Sequence, residues 1–202
     1  GDSGQTNVHY YEFRRLDSYL INYIPHLACP DGNNLPTLLL ANNELKKWVS
    51  EFLRSMDLKL TLKPTEHEIL ASKLIDDEIY PFPYIATSET VQRIIFYTVA
   101  IMSNKNSILL LDEPDTNTFP PYTKELAERI AADETNQFFI TTHNPYLLIN
   151  LIEKTHKDNI NLFISEMKDY RTIVHLLNED QMSQVLGHDS DVFFNFDQIL
   201  SL

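Results

Sequence analysis

An aliphatic run that ends in two acids is the feature that most constrains this chain. Residues 107–111 read SILLL, and Asp112, Glu113 and Pro114 follow directly. A run this apolar predicts a strand that is buried on both faces, as in parallel sheets. A second such strand is predicted at 137–141, and it is also followed by polar residues. The two runs predict two strands of one parallel sheet, with their carboxyl ends on the same side, at the edge where such sheets bind ligands.

Helical spacing of apolar residues occupies the intervals between the predicted strands. Apolar residues three and four positions apart predict amphipathic helices, and asparagine, serine and proline mark their starts. Four helices are predicted. The first covers 43–56, the second begins at Ser88, the third runs from Pro121 to about Ala132, and the fourth begins at Asn144 and Pro145. Alternation of strand and helix predicts an α/β fold with a mainly parallel sheet and flanking helices. Two later apolar runs, 160–164 and 172–177, predict a terminal β-hairpin.

Composition restricts the class of protein. The chain is 43% hydrophobic and has no apolar stretch of about 18 residues, so we expect a globular, cytoplasmic protein without a membrane partner. A single cysteine, Cys29, cannot form an internal disulfide and favours a reducing compartment. The net charge of −13 disfavours nucleic-acid binding by this segment alone. We expect two regions, an N-terminal region of residues 1–86 and a lobe of residues 87–202.

Glycine is scarce, with only four residues, Gly1, Gly4, Gly32 and Gly187. A phosphate-binding loop of the Walker A type needs glycines and a lysine, because its backbone amides converge on phosphate oxygens. No Gly-x-x-x-x-Gly-Lys-Ser/Thr can be written in this sequence. Together with the abrupt polar start, this predicts a segment of a longer protein, with the Walker A region missing.

Two adjacent carboxylates at the end of an apolar strand need a cationic or hydrogen-bonding partner. Mg²⁺ with a nucleotide is such a partner. Because neighbouring residues at a strand end point in different directions, Asp112 and Glu113 can serve a magnesium shell and an attacking water separately. His143 follows the second strand, so we expect its imidazole at the same edge, where it can hydrogen-bond a phosphate oxygen.

These residues resemble the motifs of ABC-type ATPases, and more narrowly those of the RecF-like and OLD-like heads. ILLLDEP resembles the Walker B motif, which implies that Asp112 binds Mg²⁺ through water and that Glu113 is the general base. ITTHNP resembles the switch region, which implies that His143 senses the γ-phosphate and places Thr142 among the nucleotide-binding residues. The resemblance implies a P-loop NTPase-like fold, of which this chain is the C-terminal lobe, and ATP with Mg²⁺ as cofactors.

Two further segments carry the same resemblance. DTNTFPP resembles the D-loop at the dimer interface, which assigns Asp115 to nucleotide binding. ATSETVQRII resembles the signature motif, in which the helix N-terminus, here at Ser88, caps the γ-phosphate bound by the other subunit. The chain departs from the pattern at Glu89 and Thr90, where such heads usually have glycine, and at Phe119, where they have histidine.

Three functions are compatible with these residues. The resemblance implies a head that dimerises, binds Mg-ATP and hydrolyses it in the intact protein, with DNA or a nuclease as candidate partners. The isolated chain is then expected to be inactive. The first alternative is a non-catalytic interaction domain that dimerises through the D-loop and signature face. The second is a metal-dependent hydrolase that uses four side chains as ligands, Asp112, Glu113, Asp115 and His143.

Simpler structural roles stand beside the functional ones. Ser88 can be a plain helix N-cap, and Asp115 with Asn117 can shape a turn. His143 can cap a helix or lie in the core. The remaining histidines have no mutual metal-ligand spacing and are expected to be ordinary surface or core residues, namely His9, His26, His67, His156, His175 and His188.

Overall fold

The computed structural model describes residues 7–187, 193, 195, 199 and 200. His188, which the sequence predicts to be an ordinary histidine, lies outside the described residues, as do Gly1 and Gly4. Within the described part of the chain, no helix is long and apolar enough to cross a membrane.

The chain divides into two compact units. The first unit comprises Gly1–Thr118 and Thr135–Thr141, and the second unit comprises Phe119–Glu134 and Thr142–Leu202. The predicted boundary at residues 86 and 87 lies inside the first unit and stays a prediction.

Strands and helices alternate through much of the chain. In order, the elements are β1 (Asn7–Tyr11), α1 (Leu35–Ala41), α2 (Asn43–Arg54), β2 (Lys59–Lys63), β3 (Glu68–Ile75), β4 (Glu78–Pro83), α3 (Glu89–Ser103), β5 (Ser107–Asp112), α4 (Pro120–Ala131), β6 (Gln137–Thr141), α5 (Pro145–Lys154), β7 (Phe163–Lys168), β8 (Arg171–Leu176) and α6 (Glu179–Gly187). Two short 3₁₀ turns lie at Tyr84–Ala86 and Lys157–Asn159.

The parallel sheet of the first unit has the order β1-β5-β6, which confirms the predicted α/β architecture. Leu109 and Leu111 of β5 are buried on the face where α3 packs, as the contact between the rings of Tyr11 and Phe96 shows. Prediction and structure differ on the opposite face, where residues such as Ile108 are only half-buried. Their sheet neighbours on that face, among them Val8 and Phe139, are exposed, so the predicted burial on both faces is wrong for one face of β5. The predicted burial of β6 is also wrong, because every residue of this strand is half-buried or exposed.

Helix boundaries follow their capping residues. The Asn42 side chain accepts hydrogen bonds from the first amides of α2, and Ser88 and Asn144 do the same for α3 and α5. The predicted helix 43–56 ends earlier, at Arg54, and Asp57 just beyond it has a positive φ of 58°, a left-handed conformation that a helix cannot contain.

The first unit also contains a three-stranded antiparallel sheet, β2-β3-β4. The alternating Leu58, Leu60 and Leu62 suggest the strand that forms β2, whereas the run that forms β3 and β4 is rich in charge and gives a weaker pattern. Ile69 and Ala71 alternate toward the core in β3, and two consecutive residues with positive φ, Asp76 and Asp77, turn the chain into β4. Positive φ at both central residues is the geometry of a tight type I′ hairpin turn. The prediction also omits β1 and α1.

The second unit contains α4, α5, α6 and the hairpin β7–β8, which confirms the predicted terminal hairpin. Its turn has two central residues with positive φ, Asp169 and Tyr170. One apolar cluster lies in this unit, with five buried members, Leu148, Ile164, Leu177, Val185 and Ile199.

Candidate functional site

Asp112 is the last residue of β5, and its register partner is Thr141, the last residue of β6. The Thr141 hydroxyl donates a hydrogen bond of 2.6 Å to Asp112 Oδ1. The Tyr97 hydroxyl donates one of 2.9 Å to the Asp112 carbonyl oxygen. Burial raises the pKa of Tyr97 to about 12, so this hydroxyl keeps its proton as a donor at neutral pH. Tyr97 therefore holds the backbone of Asp112, and Thr141 holds its carboxylate.

Glu113 follows in an unusual backbone conformation, with φ of 43°. Its amide donates to two atoms of Thr141, the carbonyl oxygen at 3.2 Å and the hydroxyl oxygen at 3.1 Å. The Thr116 hydroxyl donates to Glu113 Oε2 at 3.1 Å. A left-handed conformation costs a residue other than glycine about 1–3 kcal/mol and persists only where its surroundings enforce it. Both carboxylates are exposed, so solvent and solutes reach them.

The segment after the two acids forms a turn. Asp115 is only 4% exposed, and its carbonyl oxygen accepts hydrogen bonds from the Thr118 hydroxyl at 2.6 Å and from the Thr118 amide at 3.2 Å. Asn117 has a positive φ of 57°. This geometry matches the turn-shaping role predicted for Asp115 and Asn117, while the nucleotide-binding role of Asp115 stays a prediction.

The N-terminus of α3 is connected to that turn by side chains. The Thr90 hydroxyl donates to the Asn117 carbonyl oxygen at 2.8 Å, and the Asn117 amide group donates to Glu89 Oε1 at 3.2 Å. Arg93 Nε donates to the same Glu89 oxygen at 2.8 Å. The Arg93 bond, followed by the Asn117 bond, holds the pKa of Glu89 below its ordinary value. Ser88 accepts the Val91 amide at 3.3 Å and thus caps α3.

Thr142 and His143 belong to the second unit. Thr142 Oγ1 accepts the Asn144 amide at 3.0 Å, and Asn144 Oδ1 accepts the Tyr146 amide at 2.9 Å. His143 is exposed and directly precedes Asn144, the N-cap of α5. The alternative that places His143 in the core is therefore wrong.

The first unit thus brings together Asp112, Glu113 and Asp115 in one segment and ties that segment to the helix that Ser88 caps. Sequence reasoning did not single out Thr141 or Tyr97, which hold the acids. The available signal for Thr141 was its position at the end of a strand predicted to end on the same side of the sheet as Asp112.

The donor set suits a magnesium ion that keeps most of its water. Mg²⁺ is usually bound by one or two carboxylates together with substrate phosphates and water, and Asp112 offers an exposed carboxylate at the sheet edge. Among the described residues there is no group of three or more His, Cys, Asp or Glu side chains that could hold a metal ion. The metal-dependent hydrolase alternative therefore lacks its set of protein ligands in this portion of the chain.

Known proteins resemble the chain in sequence and in fold. A family model described as "AAA domain, putative AbiEii toxin, Type IV TA system" matches residues 11–150. No curated protein matches the sequence. A solved structure described as "Structural biochemistry of ATP-driven dimerization and DNA stimulated activation of SMC ATPases" has a TM-score of 0.51 and 15% identity, over 75% of this chain and 94% of that one.

A second solved structure is described as "Crystal structure of the SmcHead bound to the C-winged helix domain of ScpA". It has a TM-score of 0.49 and 16% identity, and the match covers 71% of this chain and 46% of that one. The family model covers more than half of the sequence. This chain therefore belongs to the family of AAA domains that the model describes, an ATP-binding ATPase family, and its fold is similar to that of the SMC ATPase structure with the TM-score of 0.51.

Proposed function

We propose that this chain contributes the hydrolysis residues of a RecF-like or OLD-like ATPase head that works as a dimer on Mg-ATP. The observation that carries the proposal is the pair Asp112 and Glu113, two exposed carboxylates at the carboxyl edge of a parallel sheet, each held in place by hydrogen bonds. Family membership supports ATP as the ligand class.

Each residue of the proposed site has a distinct role. Glu113 accepts a proton from the attacking water, and Asp112 holds the magnesium shell through water. His143 and Thr142 contact the γ-phosphate side of the nucleotide, and Asp115 with the α3 terminus at Ser88 contacts nucleotide across the dimer. Bound Mg²⁺ supplies charge neutralisation of the phosphate oxygens.

A Walker A phosphate-binding loop is the part of an ATPase site that this sequence lacks. With four glycines and no Gly-x-x-x-x-Gly-Lys-Ser/Thr, the 202 residues contain no lysine-bearing phosphate loop. Such a loop supplies much of the stabilisation of a transferring phosphoryl group. We therefore propose that the 202 residues alone do not turn over ATP.

The test is ATP turnover by the natural gene product, by the 202-residue chain, and by the Glu113→Gln variant of each. Glutamine still accepts the Thr116 hydrogen bond but cannot take up a proton at neutral pH. We expect turnover of the gene product to fall about 10²- to 10⁴-fold, the usual contribution of a general base, with nucleotide binding retained. Glu134→Gln, which changes another exposed carboxylate, is the matched control.

Two results would count against the proposal. Equal turnover by the parent and the Glu113→Gln protein refutes the role of Glu113. Turnover by the 202-residue chain itself, lost in Glu113→Gln, refutes the requirement for a separate phosphate loop.

A second candidate function is a non-catalytic dimerisation domain. The observation that favours it is Glu89, whose negative charge lies in the first turn of α3, where the proposed site would meet a phosphate. Titration of the gene product with a fluorescent ATP analogue and Mg²⁺ separates the two functions. Saturable binding supports the ATPase, and absence of binding supports the dimerisation domain.

Partners and location follow from the ATPase proposal. We propose a homodimer formed through the heads, in the cytoplasm, with DNA or a nuclease engaged by the protein that carries the head. The net charge of −13 repels a phosphate backbone, so any DNA contact is assigned to a surface outside these 202 residues.

A further inference from the structure

We propose that Thr141 is a positioning residue of this site. Its single hydroxyl group orients the carboxylate of Asp112 and also holds the backbone of Glu113. This inference rests on the proposed function, because it assigns Thr141 a role in the use of Mg-ATP. Thr141 itself touches neither substrate nor metal in the proposal and acts only through the two acids.

The first support is the hydrogen bond to Asp112. At 2.6 Å, the bond from the Thr141 hydroxyl to the Asp112 carboxylate has the short length of a charge-assisted O–H···O⁻ bond. Because the bond engages one carboxylate oxygen, Oδ1, it restricts rotation of the carboxylate about the Cβ–Cγ bond. Polar groups that orient a metal-binding side chain in this way usually affect metal affinity.

The second support is the left-handed backbone of Glu113. A hydroxyl has one proton to donate and two lone pairs that accept, and Thr141 uses the proton for Asp112 and a lone pair for the Glu113 amide at 3.1 Å. The amide, hydroxyl and carboxylate thus form a chain of hydrogen bonds in which each bond polarises the next. A φ of 43° at Glu113 is strained. The hydrogen bond from the Glu113 amide to the Thr141 hydroxyl therefore helps to hold the direction in which the Glu113 side chain leaves the backbone.

The decisive variants are Thr141→Val and Thr141→Ser. Valine has the shape of threonine without the hydroxyl, and it suits a strand position that is exposed, so folding is preserved. Serine keeps the hydroxyl. Thr172→Val, the same change at another exposed strand residue, is the control.

Two measurements test the proposal. In the 202-residue chain, NMR hydrogen exchange of the Glu113 amide should accelerate about tenfold in Thr141→Val and stay near the parent rate in Thr141→Ser. In the gene product, the Mg²⁺ concentration that gives half-maximal ATP turnover should rise about 10- to 100-fold in Thr141→Val and be restored by Thr141→Ser. Thr172→Val should change neither.

The outcomes separate this inference from the proposed function. Unchanged Glu113 exchange in Thr141→Val overturns the positioning role, whatever the turnover. Faster exchange with an unchanged Mg²⁺ requirement overturns the component that concerns Asp112. If Glu113→Gln leaves turnover intact, the proposed function fails, and Thr141 is then judged on the exchange of the Glu113 amide alone.

Discussion

Arg93 offers the sharpest test of how the start of α3 is held. Its side chain is only 16% exposed, its Nε donates to Glu89 Oε1 at 2.8 Å, and its guanidinium lies 4.7 Å from the centre of the Phe13 ring. Arg93→Met keeps an unbranched apolar stem and removes the charge. The variant therefore removes an ion pair and a cation–π contact together, while most of the packing remains.

The expected loss of stability follows from these two contacts. A partly desolvated cation–π contact contributes about 0.5–2 kcal/mol. The pair with Glu89, whose side chain is 37% exposed, contributes about 0.3–1 kcal/mol after solvent screening. Arg93→Met should thus lower the free energy of unfolding by about 1–3 kcal/mol. Arg93→Lys keeps the charge without the flat guanidinium, so it should recover only some of the loss.

Urea unfolding followed by tryptophan fluorescence is the assay. The chain has one tryptophan, Trp48, which lies in the first unit with Arg93 and stacks on Phe52 at 5.3 Å, so its signal reports this unit. Double-mutant cycles with Glu89→Gln and with Phe13→Leu then divide the loss between the two partners. A loss below about 0.5 kcal/mol, the range of neutral surface changes, or additive behaviour in both cycles would refute the reasoning.

Two pH predictions follow from shifted pKa values. Arg93 and then Asn117 hold the pKa of Glu89 below its ordinary 4.5, so the contribution of Glu89 to stability is full above that value and is lost as the pH falls through the folded-state pKa. The stability gap between the parent and Glu89→Gln, measured by urea unfolding, should narrow below about pH 4.5, and a constant gap contradicts this. Burial and then the charge of His9 lower the pKa of His26 from 6.5, so protonation favours the unfolded state and stability should fall as the pH drops below 6.5. His26→Phe, which keeps the ring stack on His9, should lose less over that range in thermal melts, and an identical decline would show that His26 is not the cause.

The elements that the sequence predicts best are those with strong local signals. β5 and β6 are aliphatic or aromatic runs that match the predicted strands within a residue. α5 begins at the predicted proline, after a predicted asparagine cap. In β5 and α5, local conformational preference and burial favour the same structure. In β6, whose residues are half-buried or exposed, the strand preference of phenylalanine and isoleucine gives the signal.

The elements that the sequence misses depend on contacts far along the chain. β1 reads NVHYY, and it becomes a strand by pairing with β5, about a hundred residues later. β3 contains two charged residues, Glu68 and Lys73, so its buried apolar residues, Ile69 and Ala71, give only a short alternating pattern. The turn at Asp76 and Asp77 lacks the glycine that usually marks such a hairpin.

The acids of the site were visible in the sequence, whereas the groups that hold them were not. Asp112 and Glu113 stand out because two charges end an apolar run. Thr141 becomes important only through the register that places it opposite Asp112, and register is a property of two strands together. Tyr97 reaches the Asp112 carbonyl from α3, which the helical pattern alone does not specify.

The contacts of Glu89 give its negative charge a structural role that the sequence does not reveal. From the sequence alone it is a negative charge near the place proposed for a phosphate, where the heads that the sequence resembles usually have glycine. In the structure its carboxylate accepts from both Arg93 and Asn117, so the charge is partly compensated and directed at the turn after the acids. Glycine could make neither bond. Because Thr90 also donates to the Asn117 carbonyl, the start of α3 holds that turn through two side chains. Side chains therefore connect the start of α3 to the segment that begins at Glu113, and Arg93 holds the Glu89 carboxylate that makes one of these connections.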